Sequence, residues 1–142
     1  MKDPYLPFNC PYKLNTSYMK ILVVDDEKDI QTLFEQRFRK EIRDKSIEFA
    51  FAFSGEDALV YLNGHEHEAV LILSDINMPG MSGLELLGRI KQMYLKPPPV
   101  VMMITAYGDA ENFNAAKQLG ADDFLTKPVD FNLLKEKLKI IH

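Results

Sequence analysis

The chain has 142 residues, 46% hydrophobic and 27% charged, which suits one domain with a real core and excludes a chain disordered throughout. A net charge of −4 excludes a general attraction to nucleic acid, so no direct nucleic-acid binding by this domain is expected. One cysteine, Cys10, excludes a disulfide framework, and no apolar run approaches the ~20 residues of a membrane span, so a cytoplasmic protein without a membrane partner is expected.

Residues 1–18, MKDPYLPFNCPYKLNTSY, hold three prolines and no periodicity, and lack the basic-then-apolar order of a signal peptide. They are expected to be a flexible extension ahead of one domain over 19–142. The alternative is that Tyr5, Leu6, Phe8 and Tyr12 dock on the domain or on a partner. KILVVDD (20–26) is a β-rich apolar run too short for a helix. DIQTLFEQRFRKEI (29–42) places Ile30, Leu33, Phe34, Phe38 and Ile42 on one helical stripe. IEFAFAF (47–53) is a second strand, and EDALVYL a helix that runs to the stop at Asn63-Gly64. AVLILSD (69–75) is a third strand, closed by the turn-forming INMPGMSG. LELLGRIKQMY is helical until Pro97-Pro98-Pro99 ends it. VVMMITAY (100–107) is a fourth strand, DAENFNAAKQLG a helix with a glycine stop, and ADDFLTKP (121–128) a fifth strand. The last helix, FNLLKEKLKII, sets Phe131, Leu134, Leu138 and Ile141 on one face.

Five strands alternating with five helices predict an α/β fold: a five-stranded parallel sheet, doubly wound and covered on both faces. Right-handed crossovers then bring every strand's C-terminal end to one edge. That edge receives Asp25, Asp26 and Glu27 after the first strand, and Asp75 and Asn77 after the third. Thr105, Ala106 and Tyr107 follow the fourth strand, and Lys127 and Pro128 the fifth. Each group alone has an ordinary explanation, since acids suit the first turn of a helix and Lys-Pro suits a loop. Together they are chemically coherent. Carboxylates within a few ångströms of one another cannot all stay ionised without a cation, and a hard divalent ion suits oxygen ligands while keeping positions open for phosphate. A cation beside a lysine and a hydroxyl makes a receptor for a phosphoryl group, for which one carboxylate can be the nucleophile.

Other phosphate sites fit less well. A flavin mononucleotide site would share the topology but place serine, threonine and glycine after the first strand, where three acids stand here. The glycine patterns of nucleotide-binding loops are missing. A haloacid dehalogenase phosphatase needs Asp-x-Asp, whereas Asp75 is followed by Ile76 and Asn77.

From residue 19 to about 141 the sequence resembles a receiver domain of the two-component response regulators. The resemblance rests on Asp25-Asp26, on LILSDINMPGMSGLELL, on Thr105-Ala106 and on the Lys-Pro step of GADDFLTKPVD. It implies the flavodoxin-like strand order 2-1-3-4-5, with Asp75 as phosphoacceptor. Mg2+, or Mn2+ in its place, would be held directly by Asp26 and by Asp25 mainly through water, with Asp75 and the Asn77 carbonyl as further ligands. Lys127 would pair with the phosphoryl oxygens, and its bond to Pro128 would be cis. Thr105 and the aromatic Phe124 would be the switch pair, while Asn77 and Tyr107 would tune the lifetime of the phosphoryl group. The donor would be a histidine kinase or a histidine phosphotransfer protein. The surface of the fourth helix, fifth strand and fifth helix would change on phosphorylation to control an output domain or partner, with a homodimer through that surface as one outcome. A receiver that binds protein independently of phosphorylation is the alternative.

Overall fold

The computed structural model describes residues 19–65, 71–93, 99–106 and 108–141. Strand β1 (Met19–Val24) leads to helix α1 (Asp29–Arg37), the short α2 (Arg39–Arg43) and β2 (Ile47–Ala52). Then follow α3 (Gly55–Gly64), β3 (Leu71–Asp75), α4 (Gly83–Met93), β4 (Val100–Thr105), α5 (Ala110–Gln118), β5 (Asp123–Thr126) and α6 (Phe131–Ile141). The sheet is parallel throughout in the order β2-β1-β3-β4-β5, the flavodoxin-like order expected.

Alternation along the strands sends successive side chains to opposite faces and so builds two cores. On one face Leu22, Val24, Ile72, Val101 and Met103 pack against Ala58 and Leu62 of α3, Leu86 and Ile90 of α4, and Ala116 of α5. On the other, Ile21, Val23, Leu73, Met102 and Ile104 meet Phe34, Phe38 and the α6 residues Phe131, Leu134 and Leu138. Strands buried on both faces read as unbroken apolar runs, which is why β1, β3 and β4 are so plain in the sequence. Each fully buried Leu or Ile adds roughly 1.5–3 kcal/mol, so these runs dominate stability.

Helix starts are set by short polar residues. Ser54 Oγ accepts the Asp57 N–H at 3.0 Å, Ser82 Oγ the Glu85 N–H at 3.2 Å, and Asp109 Oδ1 the Asn112 N–H at 3.1 Å. Asp130 Oδ1 takes both the Asn132 and Leu133 N–H groups at the start of α6. The stop after α5 is Gly120, whose φ of +100° needs glycine.

The single helix expected over 29–42 is two. Phe38 leaves helical geometry at φ −110°, ψ 24°, although its N–H still reaches the Phe34 carbonyl at 2.9 Å and Ile42 N–H the Phe38 carbonyl at 2.9 Å. The break goes with the burial of Phe38, whose ring lies 6.0 Å from Phe34, 5.0 Å from Phe49 and 6.1 Å from Phe131. The described residues therefore carry six helices rather than five. The expected apolar stripe also divides. Phe34 and Phe38 are fully buried, whereas Leu33 and Ile42 are each 36% exposed. The expectations placed on residues 1–18, on Tyr107 and on the Ile141 side chain lie outside the residues and side chains described.

Candidate functional site

Asp25 follows β1 directly, and its N–H donates to the Ala52 carbonyl at 3.1 Å, which prolongs the sheet by one residue. Its Oδ1 accepts the Glu27 N–H at 2.9 Å, turning the chain away from the sheet and leaving Asp26 exposed at the edge. Asp75 is the last residue of β3 and pairs in register with Ile104. Past it the Ile76 N–H donates to the Ile104 carbonyl at 3.2 Å, and Gly83 N–H closes the loop on the Ile76 carbonyl at 2.8 Å. Only glycine fits there, because a Cβ at position 83 would run into the Asp75 carbonyl oxygen and lie 2.7 Å from Ile76 Cα.

The edge gathers the acids from two elements. Asp25, Asp26 and Asp75 each offer a carboxylate oxygen within 4.8 Å of the others, with Asp25 and Asp75 each 2% exposed. Lys127 Nζ sits 2.7 Å from Asp75 Oδ2, and the Lys127 N–H donates to the Thr105 carbonyl at 2.9 Å. The Lys127–Pro128 peptide bond is cis. Thr105 is buried at the end of β4, one strand over from Asp75. Asn77 is exposed, and its N–H approaches Asp75 Oδ1 at 3.4 Å.

Electrostatics at this edge are unbalanced. Burial above all, with the charges of Asp75 and Asp26, pushes the Asp25 carboxyl up, against the pull of the Glu27 N–H and the Lys127 ammonium. Burial works to lower the Lys127 ammonium, but its hydrogen bond to Asp75 and the charges of Asp75, Asp25 and Glu27 outweigh it and raise its pKa. One ammonium thus answers three clustered carboxylates. A half-buried, oxygen-only donor set with excess negative charge fits a hard divalent cation, and Asp25, Asp26 and Asp75 are the residues that can hold it.

Two contacts were not legible in the sequence. Glu56, in the first turn of α3, accepts the Met81 N–H on Oε2 at 3.3 Å and so ties down the loop that follows Asp75. An acid at a helix start signals only dipole compensation, and nothing local points to a loop 25 residues away. Phe124 is half-buried against the core, and its ring lies 4.3 Å from that of Phe113 on α5. The apolar residue at 113 is visible, but which aromatic it meets is decided by the docking of α5 on β5.

A family model described as the response regulator receiver domain matches residues 21–139. Among solved structures, a response regulator receiver domain protein from Clostridium thermocellum is similar at 28% identity and a TM-score of 0.75, over 87% of this chain and 93% of that one. The Vibrio cholerae chemotaxis protein CheY4 is similar at 26% identity and a TM-score of 0.74, over 88% and 99%. The receiver domain of NtrX from Brucella abortus is similar at 33% identity and a TM-score of 0.70, over 85% and 96%.

Proposed function

This chain belongs to the response regulator receiver domains of two-component signalling, and from that premise we propose that it is a phosphorylation-activated switch with Asp75 as phosphoacceptor. The observation that carries the proposal is the contact of Lys127 with a buried carboxylate, Asp75, inside a cluster of three acids. A carboxylate oxygen of Asp75 attacks the phosphorus of a phosphohistidine on a sensor kinase or phosphotransfer protein. The new P–O bond forms as the P–N bond breaks, and its electron pair returns to the partner's imidazole nitrogen. The Lys127 ammonium, already 2.7 Å from the nucleophile, moves its hydrogen bond to a phosphoryl oxygen as charge passes there. Asp25, Asp26, Asp75 and the Asn77 carbonyl would hold Mg2+, for which Mn2+ is an acceptable substitute. When bound, the ion neutralises charge on the transferring phosphoryl oxygens.

Thr105 then turns its hydroxyl onto the new phosphoryl group, and the space it vacates admits the Phe124 ring. The phosphoryl group thereby selects a conformer in which the surface of α5, β5 and α6 has a new preference for partners, an output domain or a second copy among them. Self-dephosphorylation returns the switch to rest when water attacks the phosphorus, and Asn77 and Tyr107 tune access to it.

The test is labelling from acetyl phosphate with Mg2+. Wild type should take up one phosphoryl group per chain and Asp75→Asn none. Full labelling of Asp75→Asn would move the phosphosite elsewhere. No labelling of wild type by any phosphodonor would leave a phosphorylation-independent binding module.

A further inference from the structure

The loop between Asp75 and α4 is thinly held. Its first N–H, that of Ile76, donates to the Ile104 carbonyl at 3.2 Å, while the Asn77 N–H only approaches Asp75 Oδ1 at 3.4 Å. Between Asn77 and Gly83, Met81 has the one backbone N–H with a hydrogen-bond acceptor among the described residues, and that acceptor is Glu56 Oε2 at 3.3 Å. Glu56 stands 25 positions earlier, in the first turn of α3.

The start of α3 meets the loop in a second way. Gly55 is buried, and a Cβ there would stand 2.9 Å from Met81 Sδ and 3.0 Å from Met81 Cβ, so the helix begins in direct contact with that side chain. Glu56 Oε2 also lies 3.1 Å from where a Cβ of Gly80 would stand, at the residue whose φ of +74° turns the chain into Met81. Backbone and side chain of Met81 are thus both seated on α3. The loop is anchored to β4 at Ile76 and to α3 at Met81, and Asn77 lies between the anchors. Dipole compensation does not call for this reach across to the loop, since it needs only charge near the helix start. Asp57 supplies such charge from the same turn, and no hydrogen bond or ion pair joins its carboxylate to the loop among the described residues.

We propose that Glu56 is a positioning residue for the cation site: its carboxylate holds the Met81 peptide, and with it the loop that keeps the Asn77 carbonyl in place as a ligand beside Asp75. The role rests on the reading of Asp75 and Asn77 as ligands, and Glu56 itself touches neither the ion nor the phosphoryl group.

Two measurements on the full-length chain test it: hydrogen exchange at the Met81 amide without metal, and Mg2+ affinity from the backbone amide signals. Glu56→Ala should speed that exchange and weaken Mg2+ binding about tenfold, the size of effect that follows loss of a partner behind a metal ligand. Glu56→Gln keeps an oxygen that accepts a hydrogen bond and should stay within about twofold of wild type in both. Asp57→Asn removes equal charge from the same helix turn and should leave both unchanged. Should Glu56→Ala unfold, Glu56→Asp keeps the charge but draws the oxygen back by one methylene, and it should weaken Mg2+ binding as alanine does. Wild-type Mg2+ affinity in Glu56→Ala or Glu56→Asp would overturn the proposal, as would weaker binding with Met81 exchange unchanged. Glu56→Gln or Asp57→Asn weakening the ion as much as Glu56→Ala would overturn it too, because charge rather than position would then decide affinity. Neither measurement involves phosphoryl transfer, so labelling of Asp75 succeeds or fails separately. No Mg2+ binding by wild type would overturn the cation site and this role together.

Discussion

Asp25 stands at the end of β1 with its carboxyl 2% exposed, and its pKa is raised above the ordinary value of 3.8, first by burial and then by Asp75 and Asp26. The sign follows from linkage: what this group adds to stability is full below its unfolded pKa and is lost as pH rises through the folded one. Above its folded pKa the group is therefore an ionised acid whose charge burial disfavours. Asp25→Asn should raise the metal-free melting temperature by a few degrees at pH 7, since about 1 kcal/mol moves a domain of this size by roughly 4 °C. Mg2+ should raise the melting temperature of wild type clearly and that of the variant little. A variant that melts below wild type without metal would contradict this. Lys127→Ala removes the ammonium held 2.7 Å from Asp75 and should slow phosphoryl uptake about a hundredfold while Asp75 remains the acceptor. Phosphotransfer kinetics with a constant donor measure it, and an unchanged rate would release Lys127 from its role. The acids and the lysine were legible because each falls at or just past the end of an unmistakable strand, and topology alone then brings them together. Glu56 and Phe113 were not, because their partners Met81 and Phe124 are fixed by tertiary docking.

At the scale of elements, the loop from Asp75 to α4 depends on Gly83. A methyl there meets the Asp75 carbonyl oxygen, so Gly83→Ala should cost roughly 1–3 kcal/mol, read by denaturant unfolding, and weaken Mg2+ binding in parallel. Asp109→Ala removes the cap of α5 and should cost about 1 kcal/mol without touching the acidic cluster. Capping residues and glycine stops are local chemistry, and the helices they bound appear where the sequence places them. The break at Phe38 could not be read the same way. The 3.6-residue periodicity runs straight through it, and the backbone departs where the Phe38 ring is buried among Phe34, Phe49 and Phe131. Leu33 and Ile42 match the period but are left 36% exposed, without full cover from any described element.

Across the whole molecule, two cores back one sheet whose ends differ in character: acids and a lysine at one edge, an apolar groove at the other. Strand order was within reach of the sequence once the receiver motifs were placed on their strands. The proposed output surface of α5, β5 and α6 was named through the resemblance, but the exposure of Phe113, Leu119 and Leu133 is set only by the fold. If this surface dimerises on activation, sedimentation with beryllofluoride and Mg2+ should show a heavier species than the untreated chain, and Leu133→Asp should abolish it. An unchanged species with the analogue bound would assign the output to another partner. The most direct measurement concerns Asp75 itself. Borohydride reduces an acyl phosphate to an alcohol, so treating the phosphorylated chain and mapping its peptides marks the acceptor as homoserine. Homoserine at position 75 is the expected result, and homoserine at Asp25 or Asp26, or at no acid in the chain, would contradict the proposed switch.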